Sequence, residues 1–160
     1  MRLVIAAVGR LKDGPERALL DKYRERFAPL AKRLGLAPVT WLEIGESRDA
    51  DAATRREEEG TALLKLVREA GVLMELDERG KALTSTAFAQ TLAKARDGGA
   101  KAAGIVLGGP DGLSQSVREA AQLQVSFGAI TLPHGLARIV LAEQLYRAAT
   151  ILAGHPYHRA

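Results

Sequence analysis

Apolar residues in this chain fall into short continuous runs, separated by longer stretches where they recur every three or four positions. Residues 3–8 form the first continuous run, closed by Gly9, and read as a buried strand. Asp13-Gly14-Pro15 then opens a helix, with proline suited to its first turn. Leu19, Tyr23, Phe27, Leu30 and Leu34 follow at helical spacing, and Pro29 is expected to kink or break that helix near Phe27. Residues 39–44 read as a second strand. A long polar helix over 52–70 is stopped by Gly71. Residues 72–76 form a third strand that ends in the turn Asp77-Glu78-Arg79-Gly80. Thr84 or Ser85 caps the next helix, which packs through Phe88 and Leu92 and ends before Gly98-Gly99. A fourth strand over 105–107 precedes a helix capped by Ser114 and reaching about Leu123. A short fifth strand is expected over 129–132. The last helix, over 136–152, leads into a non-helical tail.

Strand and helix alternate throughout, which predicts an α/β domain with a mainly parallel sheet and helices on both faces. No repeat, linker or low-complexity segment interrupts residues 1–160, so one domain is expected. At 160 residues the chain is long enough to bury a sizeable core.

Composition narrows the picture mainly by exclusion. The chain has no cysteine, which removes disulfides, thiolate metal sites and cysteine nucleophiles and suits a reducing cytosol. No apolar run approaches the ~20 residues needed to cross a bilayer. The apolar start is too short for a signal peptide and runs directly into Arg10, Lys12 and Asp13. A net charge of +4 and a pI near 9.6 lean toward an anionic partner. Arg17, Lys22, Arg24, Arg26, Lys32 and Arg33 crowd the first helix, while Glu57-Glu58-Glu59 read as a solvated helix face.

Ligands of open α/β sheets bind beyond the carboxyl ends of the strands. Three loops qualify: after Leu76, after Leu107, and around residues 128–133. Gly108-Gly109 lets a ligand approach the backbone, and the helix that follows offers free N–H groups. The spacing matches neither a dinucleotide fingerprint nor a phosphate-binding loop, so a purely structural turn is the competing reading. His134, at the mouth of the last helix, reads by itself as a capping or packing residue. His155 and His158 lack the acidic or thiol companions that zinc requires, so no metal is expected. The last helix is apolar nearly all round, and a second subunit would bury it. On it Glu143 and Arg147 stand one turn apart and can pair, as a structural ion pair or as part of a site. No nucleophile-elbow motif accompanies the serines.

In combination, Val8-Gly9, Leu107-Gly108-Gly109-Pro110-Asp111-Gly112-Leu113, Thr131-Leu132-Pro133-His134, Leu145-Tyr146-Arg147-Ala148 and His155-Pro156-Tyr157-His158-Arg159 resemble the RlmH-type ribosomal RNA methyltransferases of the SPOUT class. The resemblance spans essentially the whole chain. It implies a trefoil knot in the C-terminal part, which periodicity does not reveal. It also implies a homodimer that uses S-adenosylmethionine; the apolar 136–152 helix is where the subunits are expected to pack, and a cytoplasmic location is expected. The implied substrate is a pseudouridine of large-subunit rRNA, methylated at N3 in the ribosome. Carried over by position, the cofactor contacts Leu76, Gly108, Gly109, Gly128, Ala129, Ile130, Thr131, Leu132 and Pro133. The tail residues Tyr157, His158 and Arg159 hold the target nucleotide, with His158 taking the N3 proton or Arg159 stabilising the anion.

Methyl transfer is an in-line displacement, so positioning donor and acceptor supplies much of the rate. The alternative is a non-catalytic RNA- or ribosome-binding protein on the same fold, favoured by the basic first helix. A different α/β nucleotide or hydrolase enzyme lacks its motifs.

Overall fold

The computed structural model describes residues 1–158. Strands β1 (Arg2–Val8), β2 (Val39–Ile44), β3 (Val72–Ala82), β4 (Ala102–Leu107) and β5 (Leu123–Ser126) alternate with helices α1 (Pro15–Arg33), α2 (Ala52–Leu66), α3 (Ser85–Asp97), α4 (Gln115–Ala120) and α5 (His134–Leu152). All strand pairs are parallel, in the order β2-β1-β4-β3-β5. The expected α/β architecture is therefore present, with helices covering both faces.

Alternation along β1 shows how the two layers arise. Leu3, Ile5 and Ala7 point into one core with Phe27 of α1, Leu92 of α3 and Leu141 and Leu145 of α5. Ala6 and Val8 point the other way, against Leu63 of α2 and Val117 of α4. Every residue of β4 is buried, as a central parallel strand requires. Fully burying each large apolar side chain contributes roughly 1.5–3 kcal/mol. Side-chain caps start three helices: Asp51 accepts from the Thr54 N–H at 2.8 Å, Thr84 from that of Ala87 at 3.1 Å, and Ser114 from that of Val117 at 3.3 Å. No helix among the described residues is long and apolar enough to cross a membrane.

Several boundaries differ from those expected. Pro29 does not break α1, which runs to Arg33. Pro29 and Glu25, whose carbonyl loses its partner, both face solvent, where the missing bond is least costly. α2 ends at Leu66 rather than residue 70, and α4 at Ala120 rather than Leu123. The fifth strand is Leu123–Ser126, and residues 129–132 are loop. Val125 and Ser126 are buried, whereas Ile130 is 79% exposed. Gly128, at φ +116°, turns the chain between them.

The turn expected at 77–80 is instead an irregular continuation of β3. Leu76 pairs with Val125 and so does Lys81, so the intervening residues bulge. A Cβ on Gly80 would lie 2.7 Å from the Val125 carbonyl carbon, so only glycine lets the two backbones come this close.

A further difference concerns α5. Gly135, Arg138, Ile139, Leu141, Ala142, Leu145 and Ala148–Thr150 are buried within the single chain. The helix lies between α1 and α3 on the sheet, so its apolar circumference is a core helix's property and does not demand a second subunit.

Candidate functional site

The carboxyl ends of β3, β4 and β5 open into a cleft of about 710 Å3, within the ~300–1,000 Å3 typical of small-molecule sites. Leu76 to Arg79 form one wall, Leu107 to Leu113 the floor, and residues 125–128 and 130–134 with Ala137 the opposite wall. Of the expected cofactor contacts, Leu76, Gly108, Gly109, Gly128, Ile130, Thr131, Leu132 and Pro133 all line it. Ala129 is exposed and lies outside the lining. His134 joins the lining at the first residue of α5.

Ion pairs and hydrogen bonds fix the three loops. Arg55 of α2 grips Asp111 through two contacts, Nε–Oδ2 at 2.7 Å and Nη2–Oδ1 at 3.2 Å. This bond holds the Asp111 carboxyl below its ordinary value. Arg118 of α4 holds Asp77 at 3.1 Å. Ser126 Oγ donates to the Gly128 carbonyl at 2.8 Å and accepts from the Gly128 N–H at 3.1 Å, which shapes the turn. Across the mouth, Thr131 Oγ1 donates to Glu78 Oε2 at 2.7 Å, joining the two walls.

The two floor glycines also have the structural task that was the competing reading of this turn. A Cβ on Gly109 would lie 2.9 Å from Val8 Cγ1 and 3.3 Å from Glu59 Oε2. One on Gly108 would lie 2.8 Å from the Gly112 carbonyl carbon. Both therefore let the loop fold down onto β1 and onto itself, which sets the floor's height. Glu59 corrects another expectation, since it is only 5% exposed and does not belong to a solvated face. It accepts from the Ser47 N–H at 2.9 Å while its other oxygen has no hydrogen-bond partner.

Arg138, Glu43 and Glu46 were not foreseen as part of the site's frame. Arg138 is 3% exposed, donates to the Val8 carbonyl and pairs with Glu43 at 2.9 Å. It sits one turn beyond His134, whose Nε2 is 3.9 Å from Glu46. Burial raises the Glu43 carboxyl. The Arg17 hydrogen bond, the Leu11 N–H and the charges of Arg17 and Arg138 outweigh that and leave it below the usual range. The hint in the sequence was an arginine at a core-facing position of an apolar helix.

The tail stands at the other end of α5. Pro156–His158 make one 3-10 turn. Tyr157 packs on Tyr146 at 4.6 Å between ring centroids, lies under the Arg147 guanidinium at 5.1 Å, and donates to Glu143 at 3.2 Å. Burial, then the Tyr23 hydroxyl and the Glu143 charge, push its phenol up to about 12, so it is a neutral donor. Glu143 also pairs with Arg147 at 2.7 Å, and the pair anchors the tail. His158 Nδ1 is buried without a hydrogen-bond partner among the described residues. Arg159 lies outside the described residues. The 19-residue α5 spans about 28 Å, so Tyr157 and His158 do not reach the cleft of their own chain.

The chain matches the family described as predicted SPOUT methyltransferase over residues 1–158. This chain belongs to the SPOUT methyltransferase family. Among its relatives is the "Ribosomal RNA large subunit methyltransferase H" of Rhodopseudomonas palustris strain BisB18, 54% identical over 160 residues and the full length of both chains. The protein of that name from Nitrobacter winogradskyi is 52% identical over 99% of each chain. Among solved structures, a probable methylase family protein from Haemophilus influenzae aligns with 99% of this chain and 70% of its own, at TM-score 0.52 and 13% identity. A probable methyltransferase from Bordetella pertussis aligns with 92% of this chain and 95% of its own, also at TM-score 0.52, with 15% identity. These two likenesses establish the SPOUT fold alone.

Proposed function

We propose that this protein transfers a methyl group from S-adenosylmethionine to N3 of a pseudouridine in large-subunit ribosomal RNA, in the assembled ribosome and hence in the cytoplasm. The observation that carries the reading is the cleft at the strand ends of a SPOUT family member, lined by all but one of the cofactor contacts that the resemblance implies. The relatives' shared name supplies the substrate class.

The cleft suits the donor. Leu76, Leu107, Ile130 and Leu132 give apolar walls to an adenine, while the backbone of 107–109 and 128–133 gives polar edges. When bound, S-adenosylmethionine supplies an electrophilic methyl group. The chain's own contribution is to hold donor and acceptor in line and exclude water, with the Thr131–Glu78 bond closing the mouth. The N3–H of the acceptor must lose its proton. In this reading His158 accepts it and Arg159 meets the anion, while Tyr157 fixes the tail on α5.

The tail stands one helix length away from its own cleft, so we place it in the site of a second copy. A two-fold homodimer with antiparallel α5 helices brings each tail to the partner's cleft. Leu19 and Leu136, 41% and 42% exposed, are apolar residues of α1 and α5 available to such an interface.

A non-catalytic RNA-binding protein on the same fold has no need of a donor, so titration calorimetry with S-adenosylmethionine separates the two readings. Saturable micromolar binding at one site per chain is expected. No heat at millimolar donor would leave the non-catalytic reading.

A further inference from the structure

A second cavity, of about 310 Å3, lies between α1 and the edge of the sheet. Its charged lining is four arginines, Arg10, Arg17, Arg24 and Arg138, against the single carboxylate Glu43. Trp41 of β2 and Leu20 of α1 complete its apolar part. Glu43 is already committed: Arg17 Nη2 lies 2.7 Å from one of its oxygens and Arg138 Nη1 2.9 Å from the other. Arg24 pairs with Asp21 at 2.9 Å and lies 5.4 Å from the centre of the Trp41 ring. Arg10 is exposed and makes no ion pair among the described residues. Arg138 is nine-tenths buried and more, yet its Nε has no hydrogen-bond partner among the described residues. Burial, and the neighbouring Arg17 charge, lower the guanidinium's affinity for its proton, against the opposing pull of Glu43 and Glu46. A buried donor surplus of this kind is costly unless an acceptor meets it.

The place of this cavity matters as much as its charge. Arg138 lines it, while His134 and Ala137 of the same α5 turn line the strand-end cleft. A Cβ on Gly9, between them, would lie 3.2 Å from Arg138 Nη2 and 3.6 Å from His134 Nε2. The two cavities are thus neighbours across one turn of helix.

We infer that the Arg10–Arg17–Arg24–Arg138 cavity is a binding site for an RNA phosphodiester, taking a nucleotide that flanks the base presented to the strand-end cleft. Arginine provides planar, forked donors for phosphate oxygens, and Trp41 offers an aromatic surface beside them for a ribose or base. The site gives a task to part of the basic first helix, whose Arg17 and Arg24 turn into the cavity. This inference rests on the RNA-methylating reading above.

Trp41 is the only tryptophan of the chain, so its fluorescence reports on this cavity. The test titrates the protein with hexauridylate at several salt concentrations, and separately with inorganic phosphate. It is repeated with R10Q/R24Q, whose fold and S-adenosylmethionine affinity are checked by circular dichroism and calorimetry. The expected result is a saturable Trp41 change with hexauridylate that weakens with salt. In R10Q/R24Q its affinity should fall about tenfold and its salt slope by about 1–2, with donor affinity unchanged. The same variant should raise KM for ribosomes while leaving kcat near wild type. An unchanged hexauridylate affinity in the folded variant, or no Trp41 response at millimolar hexauridylate, would overturn the inference. So would saturation by inorganic phosphate at a lower concentration than by hexauridylate, which marks a free-anion site. Failure of the wild-type protein to bind S-adenosylmethionine strikes the function reading instead, whatever Trp41 reports.

Discussion

Individual side chains account for much of the cleft, and two give separable tests. Ile130 lines it while 79% exposed, so its removal costs the fold little. Covering an apolar side chain of that size on binding is worth roughly 1.5–3 kcal/mol, so Ile130→Ala should weaken S-adenosylmethionine binding by about tenfold in calorimetry. Unaltered affinity would remove this wall from the donor site. Gly109 is a poorer probe than the sequence suggests, because its replacement collides with Val8 and Glu59. Glu75 tests energetics away from the site. It is fully buried, and neither carboxylate oxygen has a hydrogen-bond partner among the described residues. Burial, then the Asp77 charge, raises its pKa above the ordinary value. A raised carboxyl adds stability below its unfolded value, near ~4.3, and that contribution disappears as pH climbs through the folded value. Glu75→Gln should therefore melt higher than wild type at pH 7, by roughly 2–4 °C for each kcal/mol recovered. At pH 4 the gain should vanish. Equal melting temperatures at both values would show that Glu75 carries no ionisation penalty.

At the scale of elements, long runs with a clear period were readable and short ones were not. β1 and the start of β3 carry continuous apolar runs, β2 is rich in β-branched and aromatic residues, and the capping residues Thr84 and Ser114 mark the helix starts they were expected to mark. β5 was misplaced because Leu123-Gln124-Val125 has too few residues to show alternation, and Ile130 and Leu132 mimic a strand while lining a cleft. The irregular end of β3 was missed because Asp77-Glu78-Arg79-Gly80 has a turn's composition. Its glycine answers instead to the close approach of β5. α5 shows the limit of composition: an all-round apolar helix signals burial without saying by what. The tail is the element whose role is most open to test. Deleting residues from Tyr157 onward should abolish ribosome methylation while S-adenosylmethionine affinity stays within a few-fold. Mixing this truncated protein with Ile130→Ala at a donor concentration too low to fill the Ile130→Ala cleft should raise methylation above the sum of the two alone, through mixed dimers that hold one intact cleft and one intact tail across the interface. Loss of donor affinity on truncation would put the tail in the donor pocket, and a mixture with no more activity than its parts would argue against shared sites.

For the whole molecule, the parallel α/β plan and the three loops that frame the cleft could be derived from strand–helix alternation and from where such sheets bind ligands. The buried polar frame of Arg138, Glu43 and Glu59 could not, because ion pairs between residues as far apart as 43 and 138 leave no local period. The knot implied by the resemblance likewise has no signature in hydrophobic spacing. Chemistry entered through the resemblance; the implied cofactor contacts other than Ala129 line the cleft, while Tyr157 and His158 stand at the far end of α5. The central claim is that this cleft serves methylation of a pseudouridine in large-subunit rRNA, and mass spectrometry of that rRNA measures it most directly. RNA from cells lacking this protein should show the target pseudouridine unmethylated at N3, with methylation restored by the wild-type chain and reduced with Ile130→Ala. An N3-methylated pseudouridine present in equal amount with and without the protein would contradict the account.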